Sequence, residues 1–188
     1  MKVILASRSP RRKELLGRIF PEFDVITKEI DETLPSTLHP RDGVRILAEK
    51  KGAAVAAELS EEHLVISSDT LVELDGAALG KPIDTEDAVS TLLSLSGRSH
   101  NVHTGVAVHY KGRVFSGTDS ASVRFKSFDE TEAREYVATG EPMDKAGSYA
   151  IQGIGNRLVE GYDGEFETIV GLSLKLTKKL IDEALGNE

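Results

Sequence analysis

The stretch Met1-Lys2-Val3-Ile4-Leu5-Ala6-Ser7-Arg8-Ser9-Pro10-Arg11-Arg12-Lys13-Glu14-Leu15-Leu16-Gly17 sets the fold class. Met1 to Ala6, with its apolar run from Val3, predicts a short buried strand that ends at Ser7-Arg8-Ser9-Pro10. Ser9 suits a helix N-cap, because its hydroxyl can accept from a backbone N–H that has no partner inside the helix. Pro10 suits the first helical position, where a missing N–H costs nothing. A helix is therefore expected to about Gly17 or Phe20, so the chain opens with a strand feeding directly into a helix.

Outward from this unit, Phe23-Asp24-Val25-Ile26 predicts a second strand, followed by the acidic loop Glu29-Ile30-Asp31-Glu32. Pro40 opens a helix reaching Leu59, with Val44, Leu47, Ala48 and Val55 at helical spacing. Leu64-Val65-Ile66 is an apolar strand leading into Ser67-Ser68-Asp69-Thr70, and Leu71-Val72-Glu73-Leu74 reads as another strand before a turn at Asp75-Gly76. A helix from Thr85 to Leu95 precedes an alternating strand from Ser99 to His109, and Lys111-Gly112 turns the chain into a strand from Val114 to Phe128. Glu130 to Thr139 is helical and closed by Gly140, Glu141 to Gly171 reads as a Gly-rich loop region, and Ser173 to Leu185 as an amphipathic helix. No repeat, low-complexity tract or linker interrupts the pattern. Residues 1–188 are expected to form a single mixed α/β domain, with room for two lobes.

Composition removes several chemistries. The chain has no Cys, which excludes thiol catalysis, iron–sulfur clusters, thiolate zinc sites and disulfides. Arg8 ends the first apolar run well short of a signal-peptide core of about 7–15 residues, and no segment approaches a membrane span of about 20. A cytoplasmic protein without membrane attachment is the expectation. The net charge of −8, from 31 acidic against 23 basic residues, argues against stable nucleic-acid binding through a broad basic face. A polyanion would have to meet a local cluster of bases or a bound cation.

Such a cluster exists. Arg8, Arg11, Arg12 and Lys13 gather at the start of the first helix, where the positive end of the macrodipole makes cations mildly unfavourable. Backbone N–H groups, the Ser7 and Ser9 hydroxyls and the guanidinium forks would together hold a phosphate; a solvated basic face is the alternative. Lys51 interrupts the apolar stripe of Val44, Leu47 and Val55, so it is either paired in the interior or snorkels from the edge of the stripe. Lys50 lies off the stripe and reads as surface. Asp69 follows an apolar strand, at the kind of position where open α/β sheets bind ligands, although most such residues only form turns or caps. Glu29, Asp31 and Glu32 are metal-ligand candidates or a solvated acidic loop. Gly80-Lys81-Pro82 offers a second phosphate-binding cation, and Asp144 to Gly153 is small, polar and glycine-bearing, as a loop against a planar ligand would be. Gly153 and Gly155 do not complete a dinucleotide fingerprint, and there is no Walker A sequence. His100 and His103 sit three apart in a strand and face opposite sides, which argues against shared metal ligation.

The motifs Leu5 to Leu16, Ser68-Asp69-Thr70, Gly80-Lys81-Pro82, Leu95-Ser96-Gly97-Arg98-Ser99-His100, Asp144 to Gly153 and Val170-Gly171-Leu172 occur in one order over nearly the whole chain. Together they closely resemble the Maf family of nucleotide pyrophosphatases. The resemblance implies a mixed twisted sheet with flanking helices and two lobes around a central cleft, similar to inosine triphosphatases. It implies divalent-metal-dependent hydrolysis of a nucleoside triphosphate to monophosphate and pyrophosphate. Asp69 matches the catalytic carboxylate, while Ser7, Arg11, Arg12, Glu32, Lys51, Lys81 and Gln152 match the other cleft positions. Arg12, Thr70 and Gln152 fit the branch resembling dTTP/UTP pyrophosphatases. The expected assignment is Asp69, Lys51 and Lys81 in catalysis; Ser7, Arg11, Arg12, Thr70 and Gln152 in substrate binding; and Glu32 with Asp69 on Mg²⁺ or Mn²⁺. The expected ligand is a pyrimidine nucleoside triphosphate, ordinary or modified, and a homodimer is compatible with this reading. Gly52, where relatives often carry Ala, is expected only to weaken its helix. The rivals are a nucleotide-binding regulator of cell division and a nucleotidyltransferase, whose first loop would be glycine-rich where Ser7 to Lys13 has no glycine.

Overall fold

The computed structural model describes residues 1–60 and 62–186. Seven strands form one sheet: β1 (Lys2–Leu5), β2 (Asp24–Val25), β3 (His63–Leu74), β4 (Ala77–Leu79), β5 (Ser99–Tyr110), β6 (Arg113–Phe125) and β7 (Val159–Asp163). The order across it is β2-β1-β3-β5-β6-β7, and β4 pairs with the distal half of β3. Among the described residues six α-helices flank it: α1 (Pro10–Gly17), α2 (Pro40–Ala56), α3 (Thr85–Leu95), α4 (Glu130–Val137), α5 (Phe166–Val170) and α6 (Leu174–Leu185).

The expected opening unit is present. The Ser9 hydroxyl accepts from the Arg12 N–H, and Pro10 occupies the first helical turn. Lys111 (φ 48°) and Gly112 (φ 69°) both adopt the left-handed conformation of a tight hairpin turn, which matches the right-handed twist of β5 and β6. The α2 stripe of Val44, Leu47, Ala48 and Val55 is buried, and α2 packs across β3 and β5.

Three expectations change. The two short strands on either side of Ser67–Thr70 are one twelve-residue strand, β3. Its first part pairs in parallel with β1 as far as Leu5↔Ile66, and it continues antiparallel to β5 from Val65 to Glu73. The polar residues Ser67 to Thr70 stay in a strand because β5 supplies their ladder partners and each side chain finds a partner of its own: Ser67 the Ala48 carbonyl, Ser68 the Gly171 carbonyl, Asp69 the Lys51 ammonium and Thr70 the Arg12 guanidinium. Asp69 is therefore in mid-strand, not at a strand's end; it lies just beyond the carboxyl end of β1, where the parallel part of the sheet stops. Finally, the glycine-bearing region Glu141–Gly171 contains three short 3₁₀ turns, β7 and α5. Its backbone groups are satisfied by specific side chains, Glu141 above all, which no local periodicity announces.

Candidate active site

The end of β1, the start of α1, the loop before α2, mid-β3 and the loop after α4 enclose one cleft of about 980 Å³. Ser7, Arg11, Arg12, Glu32, Lys51, Asp69, Thr70, Lys81 and Gln152 all line it, so every site residue expected from the sequence reaches the same space.

Arg12 is the most firmly held. Its Nε donates to the Gly171 carbonyl (2.9 Å), Nη2 to Thr70 Oγ1 (3.1 Å) and Nη1 to Ser7 Oγ (3.4 Å). Ser68 Oγ donates to the same Gly171 carbonyl (2.9 Å), and Thr70 Oγ1 shares a hydrogen bond with Thr104 Oγ1 (2.9 Å). Gly171 has φ 132°, a conformation in which a side chain would be strained, so glycine is needed to aim that carbonyl. Burial pushes the Arg12 pKa down and Asp69 pulls it back, with Arg11 adding a further depression. A guanidinium remains charged under either influence.

Lys51 resolves the question posed by its apolar stripe. Its side chain is 19% exposed, and Nζ lies 2.5 Å from Asp69 Oδ1 and 2.9 Å from Glu32 Oε1. One ammonium thus serves two carboxylates, leaving a net charge of −1 among the three groups. Asp69 is 10% exposed at its side chain while Glu32 is 60% exposed, so the pair at Asp69 is the desolvated one. Asp69 Oδ2 accepts no hydrogen bond from the described residues. Glu29, by contrast, only approaches exposed Arg8 at 4.0 Å, and Asp31 accepts from the Thr33 N–H; these two read as solvated loop. The oxygen donors of Glu32 and Asp69 suit a hard divalent cation, and two carboxylates with phosphate oxygens and water match how Mg²⁺ is usually held. The excess negative charge beside Lys51 is the feature of this site that such a cation fits.

Arg11 and Lys81 make no ion pair or side-chain hydrogen bond among the described residues, so both cations are free to meet an anion. Lys81 is exposed at the rim; the preceding residue, Gly80, accepts at its carbonyl from the Gly147 N–H (3.0 Å), tying that turn to the loop that carries Gln152. This loop is anchored from below. Glu141 accepts from the Ile154 N–H (3.1 Å), the Gly155 N–H (2.9 Å) and Tyr136 Oη (2.6 Å), and Tyr136 Oη in turn accepts from the Ala150 N–H (3.1 Å). Burial alone would raise the Glu141 pKa, but the three donors outweigh it and hold it below the ordinary value. Tyr149, on the cleft wall, bonds buried His100 (2.7 Å), whose pKa burial pushes down to about 4. His100 and His103 do face opposite sides: His100 packs on Phe125 and Tyr149, His103 on Glu73.

Sequence reasoning did not single out Glu141, Tyr136 or Thr104. Glu141 looks like any polar residue after a helix; the closing Gly140 was the sole local hint. Gly52 requires a correction. A Cβ there would lie 2.5 Å from His109 Cδ2, 2.6 Å from His109 Nε2 and 2.6 Å from Ser67 Oγ. Its bareness lets α2 approach the sheet beside Lys51, so it is a packing requirement and not simply a weak helix residue.

An α/β frame that sets Arg11, Arg12, Lys51 and Lys81 beside two carboxylates in one cleft defines a polyphosphate-binding protein. The chain belongs to the Maf family: the pattern described as "Maf-like protein" matches residues 2–184. Among its relatives, the dTTP/UTP pyrophosphatase of Pelotomaculum thermopropionicum is 46% identical over 184 residues, spanning 92% of this chain and 91% of the relative. The dTTP/UTP pyrophosphatases of Bacillus velezensis (43%; 97% and 96% covered) and Shewanella oneidensis (44%; 98% and 98%) are similar. In fold, the chain is similar to the Staphylococcus aureus Ham1 protein, with a TM-score of 0.54 at 15% identity, covering 99% of this chain and 95% of that one. Among the described residues no helix is long and apolar enough to cross a membrane.

Proposed function

We propose that this protein hydrolyses dTTP and UTP to the monophosphate and pyrophosphate. The observation that carries the proposal is the convergence of Arg12, Lys51, Lys81 and Asp69, distant in sequence, on one cleft. The names of the closely similar relatives support the same reaction, and they do not favour a regulator without turnover.

A triphosphate carries about four negative charges, which an acidic protein can hold only where bases are concentrated. Arg12 is preorganised by Gly171, Thr70 and Ser7, so it can stabilise charge without reorganising. Arg11 and Lys81, uncommitted in the free protein, close on the phosphates and neutralise the departing pyrophosphate. Lys51 pairs with Asp69 through Oδ1 while Oδ2 stays available to orient a water and take its proton during attack at the α-phosphorus. Glu32 and Asp69 would hold Mg²⁺ or Mn²⁺, which supplies charge neutralisation on the phosphate oxygens. Gln152 offers one amide donor and one acceptor, the complement of a uracil or thymine carbonyl and N3–H. Thr70 acts on selectivity through Arg12, since its hydroxyl is engaged there. The substrate pool is cytoplasmic, and we place the protein there.

The test incubates purified protein with Mg²⁺ and a panel of nucleoside triphosphates, measuring pyrophosphate. Release from dTTP and UTP is expected, with Asp69→Asn abolishing turnover and leaving nucleotide affinity largely intact. Binding without product across the panel would support the regulator instead, and full turnover by Asp69→Asn would remove Asp69 from the mechanism.

A further inference from the structure

We propose that His39, Glu73 and His103 form a second metal site, selective for a borderline-soft ion of the Zn²⁺ type and separate from the cleft carboxylates. Their ligand atoms lie within 4.8 Å of one another. His39 is the N-cap of α2, Glu73 lies in β3 and His103 in β5, so the three come from distinct elements. Glu73 is four residues beyond Asp69 on the same face of β3, about 13 Å along the strand at its usual rise.

The geometry centres on Glu73 Oε2. His103 Nε2 is 2.7 Å from it and His39 Nε2 is 3.9 Å away. Tetrahedral zinc with bonds of about 2.0–2.1 Å requires ligand atoms about 3.3 Å apart, so the two separations bracket the required one and each needs to change by about 0.6 Å. Two imidazoles and one carboxylate are a ligand set that leaves a fourth position for water, and His39 opens the site to solvent. The surroundings are those of a supported site. Ser120 Oγ lies 2.7 Å from His103 Nδ1, where it can accept a hydrogen bond from an Nδ1–H and so leave Nε2 free for a metal. The Gly76 N–H (3.0 Å) fixes Glu73 Oε1, and Asn101 Nδ2 (3.3 Å) also approaches Oε2. Glu73 and His103 are almost fully buried, so a carboxylate is committed to the interior here, with His103 as its shortest contact.

Without metal, His39 Nδ1 accepts from the Arg41 N–H (3.1 Å), which places its ring proton on Nε2. Binding therefore requires His39 to release that N–H and move its proton to Nδ1; His103 makes the same tautomeric shift, and no proton leaves either ring. The ion would then tie the start of α2, which carries Lys51, to the two central strands.

The decisive variant is His39→Asn, which keeps an N-cap acceptor and removes the imidazole. Metal-free protein would be titrated with Zn²⁺ by calorimetry in excess Mg²⁺, which occupies oxygen sites and competes poorly for imidazole. One Zn²⁺ per chain is expected, with affinity at least about tenfold weaker in His39→Asn and little changed in Asp69→Asn. Thermal stabilisation by Zn²⁺ should follow the same pattern. X-ray absorption at the zinc edge should show two imidazole ligands. Zinc binding that Asp69→Asn abolishes, equal affinity in His39→Asn, no binding, or fewer than two imidazoles would each overturn the proposal. None of these readouts depends on nucleotide hydrolysis, so the site stands or falls apart from the function proposed above.

Discussion

Gly52→Ala should destabilise the protein, although glycine inside a helix is ordinarily worth replacing. At a solvated helix position the change would stabilise by about 1 kcal/mol. Here the new methyl would meet His109 Cδ2 at 2.5 Å, where ordinary contact begins at 3.4 Å, so something must yield by 0.9 Å. It would also meet Ser67 Oγ at 2.6 Å, and that hydroxyl is fully buried and donates to the Ala48 carbonyl at 2.6 Å. Overpacking of this kind costs about 1–3 kcal/mol, and straining a buried hydrogen bond adds about 1 kcal/mol. The propensity gain is outweighed, leaving a net loss of about 1–3 kcal/mol. Relief by moving α2 outward displaces Lys51, the adjacent residue, from Asp69, so turnover should fall as well. Urea unfolding of Gly52→Ala measures the first effect and pyrophosphate release the second. In a His109→Ala background the cost should shrink, because two of the three close atoms are gone, and the difference gives the coupling. A stabilisation of about 1 kcal/mol in the wild-type background would refute the packing argument, since that is the value of an uncrowded helical glycine.

Arg12→Lys retains the charge but cannot reach Gly171, Thr70 and Ser7 together; kcat/KM should fall by about 10- to 100-fold, and unchanged kinetics would show that the fork is dispensable. Glu141→Gln removes the charge that gathers Tyr136, Ile154 and Gly155 beneath the Gln152 loop. Preference for dTTP and UTP over other triphosphates should weaken more than turnover does, and a specificity profile identical to wild type would dismiss the anchor. His100 makes stability depend on pH. Its folded pKa is about 4 against an ordinary 6.5, so between these values the unfolded chain binds the extra proton. Stability is then complete above about pH 6.5 and declines as pH falls toward 4, by up to about 3 kcal/mol. Melting temperatures across that range should show the decline, with a shallower slope in His100→Asn; parallel slopes would assign the effect to other groups.

How much of the site was legible depended on how local its causes are. Ser9 and Pro10 act within one turn of helix, and their roles could be read directly. Lys51 announced itself as a charge inside an apolar helical stripe, yet its partners, Asp69 at 2.5 Å and Glu32 at 2.9 Å, lie on a strand and in a loop. Glu141 and Gly52 gave no usable warning. A carboxylate that caps a distant loop and a glycine that admits a neighbouring ring are defined by what comes to meet them.

The amino-acid order by itself determined the alternation of strands and helices, the N-cap of the first helix, the β5–β6 hairpin and the inventory of bases and acids near a phosphate-binding turn. Those follow from propensity, side-chain period and charge, which act over a few residues. Only the tertiary structure decided that Ser67 to Thr70 remain in one long strand, that one ammonium serves two carboxylates, and that His39, Glu73 and His103 meet. Each of these outcomes requires segments far apart in the chain to be brought within hydrogen-bonding range or close to it, and the packing of α2 against β3 and β5 is what does so.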